Sequence, residues 1–405
     1  MITRSSFLFA QQNLSTLTIE QILALPEEEI DIGLADLVLA KEFYPDLKIE
    51  SFLYTFDYMA DRYRYFFGHI TDPDQRIRAL NTYLYRKGSW NDSVSFCYDD
   101  DDLNVTKLSN KFINGYLSTK KGSCITLPML YLVLAERLGF PIYPSRLPYH
   151  FFVRYIPEIT NPKFEGNIEA TNGGGFVPDT EYAQNFLLPK KSIKNGVYLR
   201  TLTKKQYIAS LLLINANEWL KNKNVEKAKY YLQLSIKYDS TFSSAYMNYA
   251  MIHLYDAMYY EDKMNAEIES EKAYYDILAR NKSTNQSMSS QPDVNSNLLN
   301  VPTPQPDYST FEIQVKDNLT PAVKPKQLST ISQPTQTKQV VPNVELQNRI
   351  AVIEQQYVPR IQADTAIYHQ YKRKAEDLGI VKGYPLLFFQ NKSSELKLFQ
   401  EKGAK

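Results

Sequence analysis

Cysteine and histidine are scarce in this chain, and long apolar runs are missing. Each scarcity closes off a class of protein. Only two cysteines, Cys97 and Cys124, occur among 405 residues, which excludes a disulfide framework. A single Cys97–Cys124 bridge is the one pairing available, and it would consume the thiol best placed for chemistry. Four histidines scattered along the chain disfavour a structural zinc site, and no metal or cofactor is expected. No stretch of about 18 apolar residues exists, so nothing reads as a transmembrane segment. Neither sign of charge dominates. A balance of 46 basic against 45 acidic residues leaves +1, with no general attraction to nucleic acid or to an acidic membrane surface. Any partner must be recognised through a local site.

What is present suits a soluble globular protein of two or three domains, with 43% hydrophobic and 22% charged residues. Residues 1–16 read as a signal remnant or a disordered lead-in. The apolar run Phe7–Ala10, with one positive charge ahead of it, is like the tail of a secretory signal but falls short of the roughly 7–15 apolar residues needed. Two compartments stay open, the cytoplasm or an exported location. Residues 17–120 carry apolar residues at helical spacing, as in Thr18–Leu25, Ile49–Phe67 and Ile77–Tyr85. The acidic run Asp99–Asp102 reads as a solvated loop, since no glycine turn or closing glutamate follows at calcium-loop spacing.

Residues 121–200 form an α+β core. A helix is predicted from Ser123 to Leu138, stopped by Gly139 and Pro141. Short strands follow at Ile142–Leu147, His150–Ile156 and Asn167–Thr171, separated by turn residues, and imply a small antiparallel sheet. Residues 201–280 return to helix. Val225-Glu-Lys-Ala228 has the character of a tetratricopeptide second helix, with Ala216 and Trp219 where the first helix needs a small and a large residue. Ala250 recurs one 34-residue period after Ala216. One repeat and a degenerate second, carrying an insertion before Glu271-Lys-Ala273, are expected. Residues 281–343, rich in Ser, Thr, Gln, Asn and Pro, read as a disordered linker. Residues 344–405 open with an amphipathic helix through Leu346, Ile350, Ile353 and Tyr357, interrupted near Pro359. Its apolar stripe is expected to pack on the repeat region or on a partner protein.

Chemistry concentrates at Lys121-Gly-Ser-Cys124. Ser123 is a natural N-cap, which puts Cys124 in the first helical turn. There the unpaired N–H groups and the helix dipole favour thiolate over thiol. Small buried cysteines also open helices for packing alone. His150 alters the balance, because a histidine at the start of the next strand can bring imidazole beside sulfur as a general base. A third group should fix the ring tautomer. Glu169 in the following strand is the first candidate and Asn172 the reserve. The backbone N–H of Cys124 is the generic oxyanion donor.

Four segments together, Gly122-Ser-Cys124, Ala135-Glu-Arg-Leu-Gly139, Pro148-Tyr-His-Phe-Phe-Val-Arg154 and Ile168-Glu-Ala-Thr-Asn-Gly-Gly174, resemble bacterial transglutaminase-like proteins. The resemblance is to the branch with helices before the core and tetratricopeptide repeats after it. It is strongest over about 115–180. It implies a papain-like cysteine, histidine and acid arrangement, with those roles on Cys124, His150 and Glu169. Two departures stand out. The superfamily usually places aspartate third, where this chain has glutamate. Many members of the branch lack the cysteine, which this chain keeps. The expected function is thiol acyl transfer, as peptidase, amidase or transamidase, on a protein or peptide. The alternative is a non-catalytic protein- or peptide-binding module built on the same core and helices.

Overall fold

The computed structural model describes residues 14–157, 166–285 and 344–380. The N-terminal 1–13, nearly all of the predicted linker and the segment 381–405 lie outside the described residues. The chain divides into two compact units, residues 1–246 with 375–405, and residues 247–374.

The first unit opens with helices, each started by a local signal. Thr18 and Gln21 form a reciprocal capping box at α1 (Ile19–Leu23). Asp31 caps α2 (Ile32–Ala40), a helix buried on every face. Next come α3 (Ile49–Phe67) and α4 (Pro73–Tyr85), the latter with proline in its first turn and Asp72 as cap. The helical reading of 17–120 needs one amendment. Cys97–Tyr98 forms a short strand, β1, paired in parallel with β2 (Lys121–Gly122). Between them lies α5 (Ile113–Thr119), whose first N–H donates to the Asp36 carboxylate at 2.7 Å.

Helix α6 (Thr126–Leu138) is the hub of this unit, packed against α2, α3, α5 and the sheet. Nearly all its residues are buried, so it shows no polar face. It begins later than the sequence suggests. Leu127 N–H does bond to the Ser123 carbonyl at 3.0 Å. Pro128, however, has no N–H to offer the Cys124 carbonyl, so continuous helical bonding starts only with Met129 N–H to Ile125 at 3.3 Å. Gly139 ends the helix at φ 69°, and Phe140 N–H returns to the Ala135 carbonyl.

Strands β3 (Ile142–Leu147), β4 (His150–Tyr155), β5 (Gly166–Glu169) and β6 (Gly175–Val177) form an antiparallel meander in that order. Strand β5 stops at Glu169, earlier than its alternation implies, because Ala170–Asn172 winds into a 3₁₀ turn capped by the Glu169 side chain. Strand β6 goes unread from sequence, because Gly175-Phe-Val177 is too short to show an alternation. The short helices α7 (Asp179–Asn185) and α8 (Lys190–Lys194) follow.

Helices α9 (Lys204–Lys221) and α10 (Val225–Tyr238) make a hairpin, with Ala216 and Ala228 fully buried between them. One ion pair joins hairpin to sheet. Arg146 of β3 is fully buried with its guanidinium 2.7 Å from Asp239, also fully buried, at the end of α10. The same guanidinium bonds the Val197 carbonyl and Ser210, and stacks 4.0 Å above the Phe242 ring.

Among the described residues, no second hairpin with a short turn follows. Helix α11 runs unbroken over Ser243–Asn285, because no glycine or proline interrupts it in 43 residues. Its first turn belongs to the first unit. Within the second unit it lies antiparallel to α12 (Val344–Leu378), with Tyr357 donating to Glu267 and Arg349 paired with Glu271. Helix α12 is also continuous. Pro359 removes one backbone bond, and the remaining turns carry the helix past it.

Candidate active site

Cys124 sits in the turn between β2 and α6, held from both sides. Ser123 accepts from Ile125 N–H at 3.0 Å and donates to the Asn110 carbonyl at 2.6 Å. Asn110 in turn bonds Asp99 and Asp102. The acidic run is therefore not a solvated loop throughout. Asp100 and Asp101 face outward, but Asp99 and Asp102 are buried. Asp102 accepts from Thr106, Lys107 and Asn110. Burial pushes its carboxyl up, and these donors more than offset that, holding it below the usual carboxylate range. Asp99 N–H bonds the Gly122 carbonyl at 2.7 Å. The loop thus braces the backbone that delivers Cys124. Nothing in four consecutive aspartates distinguishes the two that turn inward, so this support was invisible in the sequence. Neither cysteine is in a disulfide.

His150 is delivered by the β3–β4 turn. Pro148 takes the second position, and Tyr149 the third with φ 58°, the pattern of a type II turn. That conformation is strained for a residue with a side chain. The Cys124 thiol lies 3.5 Å from the Tyr149 carbonyl, as its donor. The nucleophile candidate and the base candidate are thereby brought to the same turn.

Glu169 reaches the ring. Its Oε2 is 2.6 Å from His150 Nε2 and accepts from the Tyr182 hydroxyl at 2.7 Å. Its Oε1 accepts from Thr171 N–H at 3.0 Å and from the Thr171 hydroxyl at 2.5 Å. Burial alone would raise this carboxyl. The His150 charge and the bonds from His150, Thr171 and Tyr182 outweigh burial and hold it down at about 2. Glu169, rather than Asn172, occupies the place beside the imidazole. Phe186 stacks on the ring at 5.7 Å. Cys124, His150 and Glu169 are 0, 3 and 1% exposed, so the site is closed.

With Nε2 set on the Glu169 carboxylate, Nδ1 is the ring nitrogen that can handle a proton. Ile125 N–H is engaged by Ser123, and the Cys124 N–H keeps its place as the generic oxyanion candidate. Thr171 and Tyr182 are the site residues that sequence reasoning missed. With 31 tyrosines in the chain, no spacing marks one of them. A cavity of about 340 Å³ lined by Arg76, Phe140, Tyr143 and Tyr155 lies at the other end of β3–β4. It faces none of this chemistry, and geometry favours the closed site.

The sequence profile of the transglutaminase-like superfamily matches residues 50–212. The match begins at α3, so helices before the core belong to the domain itself. Proteins named UPF0162 protein from two strains of Xylella fastidiosa, Temecula1 and 9a5c, are each 23% identical over 133 residues. That stretch is 33% of this chain, and the chain spans 44% of the length of each relative. No solved structure matches the chain. The α+β architecture, the antiparallel sheet and the profile agree: the chain carries a transglutaminase-like superfamily domain at residues 50–212.

Proposed function

We propose that this domain is a thiol acyl-transfer enzyme with Cys124 as nucleophile, His150 as base and Glu169 as the orienting acid. The observation that supports it most is the buried 2.6 Å contact between Glu169 and His150, beside a turn whose carbonyl meets the Cys124 thiol. In this scheme His150 takes the thiol proton, and sulfur attacks an amide carbonyl of a protein or peptide. The carbonyl π electrons move onto oxygen. Their return expels the amine, which takes the proton from His150 and leaves a thioester. Water or a second amine, deprotonated by His150, then attacks the thioester carbon and releases Cys124. The α9–α10 hairpin, with its buried Ala216 and Ala228, is a tetratricopeptide-like element in this scheme and presents a peptide surface.

The competing function is a peptide-binding module without turnover. The complete burial of Cys124 favours it. Alkylation separates the two. Cys97 is exposed, and burial pushes its thiol up, so a Cys97→Ser background isolates Cys124. Iodoacetamide at pH 6 is expected to label Cys124 stoichiometrically, and His150→Ala to slow that labelling by about 100-fold, as thiolate reverts to thiol. Equal rates in the two proteins would leave the binding module as the function.

A further inference from the structure

Strand β1 is two residues long, and alternation sends its side chains opposite ways. Cys97 is exposed, and Tyr98 is buried at 7% exposure. The register pairs Tyr98 with Gly122, two residues before Cys124. Asp99 N–H donates to the Gly122 carbonyl at 2.7 Å and holds that register at its end. The backbone that carries Tyr98 is thus tied to the backbone that carries the candidate nucleophile.

The Tyr98 hydroxyl is buried and meets no hydrogen-bond partner among the described residues. Enclosing a phenol O–H without an acceptor is costly, and an acceptor that arrives with a ligand would satisfy it. Burial pushes this hydroxyl up from its ordinary range, and charge at Cys124, then at Asp102, Asp100 and Glu169, adds to the rise. The phenol therefore stays neutral, with its proton in place to donate. Tyr207 also has a buried hydroxyl with no partner among the described residues, but Asp36 acts on it more strongly than Cys124 does. Tyr98 is the one of the two on which the nucleophile acts before any other charge.

We propose that Tyr98 is a catalytic residue, the side-chain donor of the oxyanion hole beside the Cys124 N–H. The assignment rests on the thiol acyl-transfer reading of the site. When the enclosure opens to substrate, sulfur bonds to the carbonyl carbon and the π pair moves onto oxygen. The Tyr98 O–H donates a hydrogen bond to that oxygen and keeps its own proton. The pair returns as the leaving group departs. A hydroxyl with no partner at rest has no bond to give up when the negative charge develops.

The test uses the full chain in the Cys97→Ser background and two probes of Cys124 at pH 6. p-Nitrophenyl acetate acylates sulfur through a tetrahedral oxyanion and releases nitrophenolate. Iodoacetamide alkylates the same sulfur by displacement at a saturated carbon and forms no oxyanion. Each product is followed on the Cys124 peptide by mass spectrometry. Tyr98→Phe is expected to slow acylation by about 100-fold, the usual loss on removing one oxyanion donor. Alkylation is expected to stay within about twofold, and Tm to hold, since the substitution removes only a hydroxyl that no described residue engages. Equal slowing of both probes would make Tyr98 a partner of the thiolate instead. Acylation within about threefold of the unsubstituted rate would leave the oxyanion to the backbone alone. Either result overturns the proposal and leaves Cys124 as the nucleophile. Failure of both probes to modify Cys124 when Tyr98 is intact overturns the acyl-transfer reading, and the role of Tyr98 with it.

Discussion

Glu169→Gln is expected to slow pH 6 alkylation of Cys124 by roughly 100-fold while the protein stays folded. The carboxylate accepts from His150, Thr171 and Tyr182, and it sets a negative charge against the imidazole ring. Removing that charge destabilises imidazolium, the thiolate–imidazolium pair reverts to its neutral form, and the reactive fraction at pH 6 drops to that of an ordinary thiol. Glutamine retains the shape and can still accept from Thr171, so a purely structural role predicts little change in rate. The pH dependence sharpens the contrast. The Glu169 carboxyl is held down at about 2 in the folded protein, below its unfolded value of about 4.3. Its contribution to stability is therefore fully present above pH of about 4.3 and is lost as pH falls through about 2. Between pH 7 and about 4.5, Glu169 stays ionised and imposes no inflection on the labelling rate. A rate within threefold of the unaltered protein would remove Glu169 from the proposed site.

Asp239→Ala is expected to destabilise the first unit by about 3–5 kcal/mol, the usual cost of breaking a buried pair. Arg146 and Asp239 are both fully buried, 2.7 Å apart. Burial would raise the Asp239 carboxyl, but Arg146, Thr241 and Arg200 hold it below the usual range. Without it the guanidinium stays in the interior with only the Val197 carbonyl, Ser210 and the Phe242 ring. For a unit of this size, thermal unfolding should shift down by roughly 10 °C. A shift below about 2 °C would mean that water reaches Arg146. The pair also bears on where the domain ends. The superfamily profile stops at residue 212, inside α9, whereas the counter-charge for a core strand sits 27 residues further on, at Asp239. A fragment cut at the profile's edge inherits the same unpaired arginine.

The sequence was most informative where a signal is local. Gly139 stopped its helix, the Pro148–Tyr149 turn set the β3–β4 register, and alternation marked β3 over Ile142–Leu147. Local signals failed where the outcome depends on atoms further off. Pro128 postponed α6 because its missing N–H acts one turn upstream, on the Cys124 carbonyl. Pro359 left α12 whole because neighbouring turns supply enough bonds. The buried pair within Asp99–Asp102 depends on Asn110, Lys107 and Thr106, whose convergence is a property of the folded loop. Long-range meetings were out of reach in principle. His253 and Asp364 are 111 positions apart, and no periodicity links residues on two helices separated by a linker.

The closure of the site has a bearing on redox sensitivity. Oxidation of a cysteine by peroxide needs both thiolate character and access. Cys97 has access, but burial of its sulfur, with Asp99 and Asp100 nearby, pushes its thiol up. Cys124 meets the turn that delivers His150, yet its side chain is fully enclosed. Neither thiol combines the two conditions, so the chain is built to ride out oxidant that would inactivate an open thiol enzyme. Sulfenic acid at Cys124 would form in proportion to the fraction of time that the enclosure around His150 and Phe186 stands open, which makes peroxide a gauge of that fraction.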